Sequence, residues 1–268
     1  MRTEWLYRIR LVIWKDWLEI RQQKGLLLGM LFLPVLFTGL PLGIMVAVRF
    51  TPPDEDIGPL VEALKQTGAV AGMNELELTQ FAVSQPVSIM LLLLPVILSS
   101  IIASYSIVGE KLNQTLEPVL ATPVATWELL TGKTLSSLFP ALAITWVFTA
   151  LFVVGTAFVA VSPRVFAGII SPAWVLLVVL CAPLLAVCAI AATVAISSRV
   201  NDPRSAQQIS AVFVLPVVLL MGGQFTGLLV LNPFVALIVA GGLAVLAAIT
   251  MWIATLVFGR EAILTRWG

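Results

Sequence analysis

The sequence predicts an all-α membrane protein: six transmembrane helices, an N-terminal amphipathic helix at the interface, and a cytoplasmic hairpin between the second and third spans. Three observations carry this. Hydrophobic residues make up 60% of the 268 positions and charged residues only 11%, where a soluble domain holds about a quarter charged. The apolar residues come in blocks of roughly twenty or more, the length that crosses a hydrocarbon core of about 30 Å at 1.5 Å rise per residue. Lys and Arg fall almost entirely in segments that six crossings place on one side. Backbone groups in lipid must pair internally, so the blocks are helices. The alternating ten-residue segments of a β-barrel are absent.

The whole chain, 1–268, reads as one transmembrane domain. Residues 1–25 precede the spans, and 3–24 form the amphipathic helix. Leu6, Ile9, Ile13, Trp17 and Ile20 follow one another at spacings of 3, 4, 4 and 3, which is one helical face. Arg8, Lys15 and Gln22 lie on another face, and Trp5, Trp14 and Trp17 suit headgroup depth. This helix is either an interfacial anchor or an elbow that passes force into the first span. The spans run 26–48, 87–108, 138–161, 173–197, 211–231 and 234–258. The first is too long for a signal-peptide apolar region.

Orientation follows from the basic residues. Twelve of the fifteen lie in the N-terminal segment, the loops near 109–137 and 198–210, and the C-terminal tail. That side is cytoplasmic, which places both termini inside and the protein in the cell membrane. The 49–86 loop is then external. It is acidic, and its residues 54–66 and 74–85 are each expected to form a short helix in a solvated cap or an external gate.

No Asp, Glu, Lys, Arg or His lies inside an assigned span. Ion-coupled carriers usually keep such groups at membrane depth, so their absence counts against that class. The chain has no histidine and no Gly-x-x-x-x-Gly-Lys-[Ser/Thr] loop. No catalytic residues and no metal site are expected, and any ATP chemistry must sit on another subunit. The net charge of +1 gives no field for nucleic acid. Cys181 and Cys188 are seven residues apart, about 10 Å on a helix, too far for a disulfide.

Prolines 34, 41, 95, 140, 183 and 216 fall within spans and favour kinks. Small residues at four-residue spacing, such as Gly39 with Gly43 and Cys188 with Ala192, favour close helix packing within the bundle or across a dimer. Gly223, Gln224 and Gly227 late in the fifth span suggest a local break near the outer face, and mark a candidate pathway or gate.

The most informative segment is the cytoplasmic stretch 109–137. It contains Gly109-Glu110-Lys111, Thr115-Leu116-Glu117, Thr122-Pro123, and then Trp127, Glu128, Gly132 and Lys133. Thr126 is a plausible N-cap for a short helix over 127–135. Two short amphipathic helices joined by a stiff bend suit either a groove on a soluble partner or the membrane surface.

This stretch resembles the coupling region of type-two ABC (ABC-2) exporter permeases, which carry a Gly-Glu-[Lys/Arg] start, a Thr-Leu-Glu triplet, a Thr-Pro break and a Gly-Lys end. The tail 258–266 is similar to that of the sodium-efflux-like permeases. The resemblance implies a permease subunit that dimerises, as a homodimer or related heterodimer, and binds two copies of a separate ABC ATPase carrying ATP and Mg. It implies ATPase-coupling roles for Glu110, Lys111, Thr115, Leu116, Glu117, Thr122, Pro123, Trp127, Glu128 and Lys133, with Glu117, Trp127 and Lys133 as direct contacts. Only about Gly222 to Pro233 is available for the hairpin that many members carry between the last two spans, which shifts an outer gate toward the 49–86 loop. An ATP-independent carrier or channel, and a force-transmitting subunit that moves no substrate, are the alternative functions.

Overall fold

A computed structural model describes residues 4–22, 24–50, 61–62, 64–65, 70, 72–112, 126–197, 202–226, 229 and 231–257. The described residues contain helices and no strands. Helix α1 is Glu4–Gln22 and α2 is Lys24–Ala47. Helix α3 runs Glu75–Ser88, through a 3-10 turn at Ile89–Leu92, into Leu93–Leu112. Helix α4 is Thr126–Val159 and α5 is Pro163–Ile169. Helix α6 runs Pro172–Leu176, a π turn Leu177–Cys181, then Ala182–Ser197. Helix α7 runs Pro203–Ser210, a 3-10 turn Ala211–Val214, then Leu215–Phe225, and α8 is Pro233–Val257. Six of these stretches are long and apolar enough to cross a bilayer.

The irregular turns have a common cause. A proline lacks the N–H that would bond the carbonyl four residues back, and its ring crowds that carbonyl. For Pro95, Pro183 and Pro216 the deprived carbonyls belong to Leu91, Val179 and Val212. Each lies inside a 3-10 or π turn. The helix changes its hydrogen-bond register where the proline breaks it. Pro34, Pro41 and Pro140 are instead carried within α2 and α4 without such a change.

Helix α3 is the axis of the bundle. Its apolar window is 83% buried within the chain, against 28% for α2, α4 and α7 and 22% for α8. Helices α2, α4, α6 and α7 pack around α3, α8 packs on α6, and α1 packs along α4. Cys188 faces α8, with its Sγ near the Leu243 carbonyl. Gly39 and Gly43 are exposed, with open space where a side chain would begin. Gly155 serves the packing of α2 on α4, because a Cβ there would sit 2.6 Å from Leu42 Cδ1.

Three expectations change. The second span begins at Glu75, not near 87: the segment 74–85 belongs to α3 and is buried from Glu77 onward rather than forming part of a solvated cap. The 127–135 helix is the first third of the 34-residue α4, which passes Pro140 without a break. The fifth span starts at Pro203, eight residues before 211, and its helix stops at Phe225 rather than 231. In each case a polar stretch that hydropathy assigns to a loop is held in the helix by burial and capping. Asp202, for example, accepts from the Ser205 amide at 3.1 Å. Of the expected 54–66 helix, residues 61, 62, 64 and 65 are described, all helical.

Candidate functional site

The site forms where α1 crosses the roots of the 109–133 segment. The buried face of α1 is Ile9 and Asp16, with Val12, Ile13 and Ile20 half-buried beside them. Trp17, expected on that face, is instead 43% exposed. The face is rotated because Asp16 has partners inside the bundle, which an apolar periodicity does not register. Gly132 lets α1 approach: a Cβ there would lie 2.9 Å from Val12 Cγ1 and 3.0 Å from Val12 Cβ.

Lys133 follows Gly132 and enters the gap so created. It is 2% exposed. Its ammonium lies 2.8 Å from Glu110 Oε2 and 3.8 Å from Asp16 Oδ1, and donates to the Ser106 carbonyl at 3.0 Å and the Ser106 hydroxyl at 2.9 Å. Asp16 Oδ2 accepts from Ser106 Oγ at 2.9 Å and Ser136 Oγ at 2.7 Å. Lys15 pairs with Glu110 from the other side and with Glu19 at 3.3 Å. At the rim, Arg8 lies 3.6 Å from Glu128.

The carboxylates of Asp16, Glu19 and Glu110 converge closely enough to share a cation, and the Lys15 and Lys133 ammonium groups are the cations they share. Burial lowers the Lys15 ammonium's tendency to hold its proton. The hydrogen bond and charge of Glu110, with Glu19 and Asp16, outweigh this and raise its pKa above the ordinary 10.5. The buried carboxylates Asp16 and Glu110 are matched by Lys133 and Lys15, the more exposed Glu19 adds a third carboxylate at the rim, and hydroxyls fill part of the remaining bonding capacity. That is the condition under which buried charge is tolerated.

This arrangement joins α1, α3 and α4 through one lysine. Glu110 and Lys133, the first and last charges of the segment in this site, meet inside the protein and close its base. Lys133 was expected as a direct partner contact, but its ammonium is buried and engaged within the chain. Glu128 is also buried, beneath Arg8. Thr115, Leu116, Glu117, Thr122 and Pro123 lie outside the described residues, as do the side chains of Lys111 and Trp127. Beside the clamp, the outer face of α1 and Leu129 border a groove of about 520 Å³, with Trp14 exposed along it.

A second polar node closes the opposite end of the bundle. Gln80, fully buried on α3, donates to the Met45 carbonyl at 2.8 Å and the Val159 carbonyl at 3.3 Å. Its Oε1 accepts from the Val161 amide at 2.8 Å. One side chain thus joins the ends of α2 and α4 to α3. Arg49 caps the same end of α4, donating to the carbonyls of Val159 and Ala160, where the helix dipole favours a cation. Gln80 is not among the candidate site residues of the sequence, which assigns 74–85 to a short helix of an external cap or gate rather than to the second span. The signal was present: no charged residue falls between Glu77 and Glu110.

Of the candidate gate residues, Gly223 and Gln224 lie in the last turn of α7, and Gly227 is outside the described residues. Leu229 packs on Gly223, and its amide bonds the Gly223 carbonyl at 2.8 Å, folding the chain back as α7 ends. Gln224 is 4% exposed, and its amide has no hydrogen-bond partner among the described residues.

Comparison with curated proteins finds no significant match. The profile of the ABC-2 family transporter proteins, by contrast, matches residues 10–233, from α1 through the start of α8, and so includes both ends of the clamp. The chain therefore belongs to the ABC-2 transporter family: it is a multi-pass membrane permease of an ABC system, a non-catalytic component of the kind that pairs with an ABC ATPase.

Proposed function

We propose that this permease couples ATP hydrolysis by a separate ATPase subunit to export of a substrate, with the 109–133 segment as its lever. The observation that carries the reading is the Lys133 clamp. A loop that merely joined two spans would need no buried, charge-balanced lock at its base. A loop pushed by a partner needs one, because force applied at its tip is otherwise lost in deformation of its roots. Through Lys133, a push on the loop reaches α3, α4 and the elbow helix α1 together. Glu117 and Trp127 are then the partner contacts, while Glu110 and Lys133 position the lever.

In this reading the termini and the 109–133 segment are cytoplasmic. Two permease copies bind two ATPase copies, which carry ATP and Mg, and α2 and α7 line a path at the permease interface. Within the family we place the chain nearest the sodium-efflux-like permeases, on its tail 258–266. Co-expression with a candidate ABC ATPase, followed by affinity capture of either protein, tests the reading. We expect capture by the wild type and loss of both capture and permease-dependent ATPase stimulation in Glu117→Arg. Substrate movement in vesicles driven by a gradient without ATP would contradict it and favour a carrier.

A further inference from the structure

A second cavity, of about 330 Å³, opens between α2, α3 and α7, and the clamp makes no use of it. Gly25, Gly29 and Met30 line it from α2, Tyr105 from α3, and Arg204 and Gln207 from α7. We propose that this cleft binds the anionic headgroup of an amphiphile, with Arg204 as its counter-charge.

The lining is chemically asymmetric. Arg204 is exposed and forms no ion pair among the described residues. The nearest carboxylate along the chain, Asp202, is occupied by the Ser205 amide and hydroxyl at 3.1 and 3.2 Å, and among the described residues no carboxylate lines the cleft. Arg204 stands in the first turn of α7, where the helix dipole adds positive potential. Gln207 is held by the Ser104 hydroxyl at 2.9 Å, which fixes one polar wall. Opposite, Gly25 and Gly29 leave open space where side chains would begin.

Depth and surroundings select an amphiphile over a soluble anion. Tyr105 precedes Glu110 by five residues, about 7.5 Å along α3, so the cleft lies at the boundary between headgroups and acyl chains. Deeper on the same helix faces, Leu28 and Phe32 of α2 and Val212 of α7 are exposed apolar walls suited to acyl chains. The site stands whether or not the chain is an exporter.

The test is native mass spectrometry of the purified full chain in detergent, with phosphatidylglycerol and phosphatidylcholine at equal concentration. We expect retention of phosphatidylglycerol in about tenfold excess, the scale of one charge-assisted hydrogen bond, and loss of that excess in Arg204→Gln. Gly29→Leu, whose Cβ has no protein atom within 4 Å, adds bulk at the cleft, should lose the excess equally, and decides the matter if Arg204→Gln does not fold. Dihexanoyl phosphatidylglycerol should displace the bound lipid where inorganic phosphate does not. Equal retention of the two lipids, unchanged retention in both variants, or equal displacement by inorganic phosphate would each overturn the proposal.

Discussion

The two ends of the bundle are closed by different chemistry. At one end, Lys133, Glu110, Asp16 and Lys15 join α1, α3 and α4 through ionised side chains. At the other, Gln80 and Arg49 join α2, α3 and α4 mainly through bonds to backbone carbonyls and one amide. Removing a neutral amide bonded to helix ends leaves only neutral backbone groups unpaired. A buried ionic cluster strands the opposite charge when one member is lost. The ionic end is therefore more sensitive to a single substitution, and it is the end at which the 109–133 segment is rooted.

That difference ranks four outcomes. The largest effect belongs to Lys133→Met, which leaves Asp16 and Glu110 buried without their central cation. We expect a loss of about 3–5 kcal/mol in thermal unfolding of the detergent-solubilised chain. Adding Glu110→Gln should recover part of it, and no recovery would break the comparison. Gly132→Val comes next: its Cβ meets Val12 and forces α1 off α4, at about 1–3 kcal/mol, relieved by Val12→Ala. Gln80→Leu should cost about 1–3 kcal/mol by leaving the Val161 amide unpaired, with less effect on partner ATPase stimulation than Lys133→Met. The smallest is Arg8→Gln at the partly exposed rim, within about 1 kcal/mol.

Lys15 sharpens the same contrast through pH. Its pKa is raised above 10.5, so its contribution is fully present below that value and lost as pH rises through the folded-state pKa. A pH series of thermal unfolding should show no Lys15-dependent change near neutrality. The difference between wild type and Lys15→Met should shrink only on the alkaline side.

The membrane class and the family were legible in the sequence because block hydrophobicity and a dense run of motif residues are local signals. Asp16 was not, because a carboxylate on an apolar helix reads as the polar face until its partners on α3 and α4 are known. Lys133 looked like a surface contact for the same reason: its partner Glu110 is brought to it by the fold, not by proximity in the chain. Gln80 and the early start of α3 were hidden because hydropathy treats buried Gln and Ser as loop residues, whereas here their polar atoms bond across helices or back to their own carbonyls. The prolines gave the positions of three register changes, through the carbonyl each one deprives.

A lever locked at its root by Lys133 requires α1 and α4 to move as one body when the partner ATPase closes. Spin labels at Leu18 on α1 and Phe139 on α4, both exposed, measure this by pulsed dipolar spectroscopy of the assembled complex. We expect one sharp distance that is unchanged on adding ATP, and a broadened, nucleotide-dependent distribution in Lys133→Met. A wild-type distance that shifts with ATP, or a Lys133→Met distribution as sharp and constant as the wild type, would contradict it.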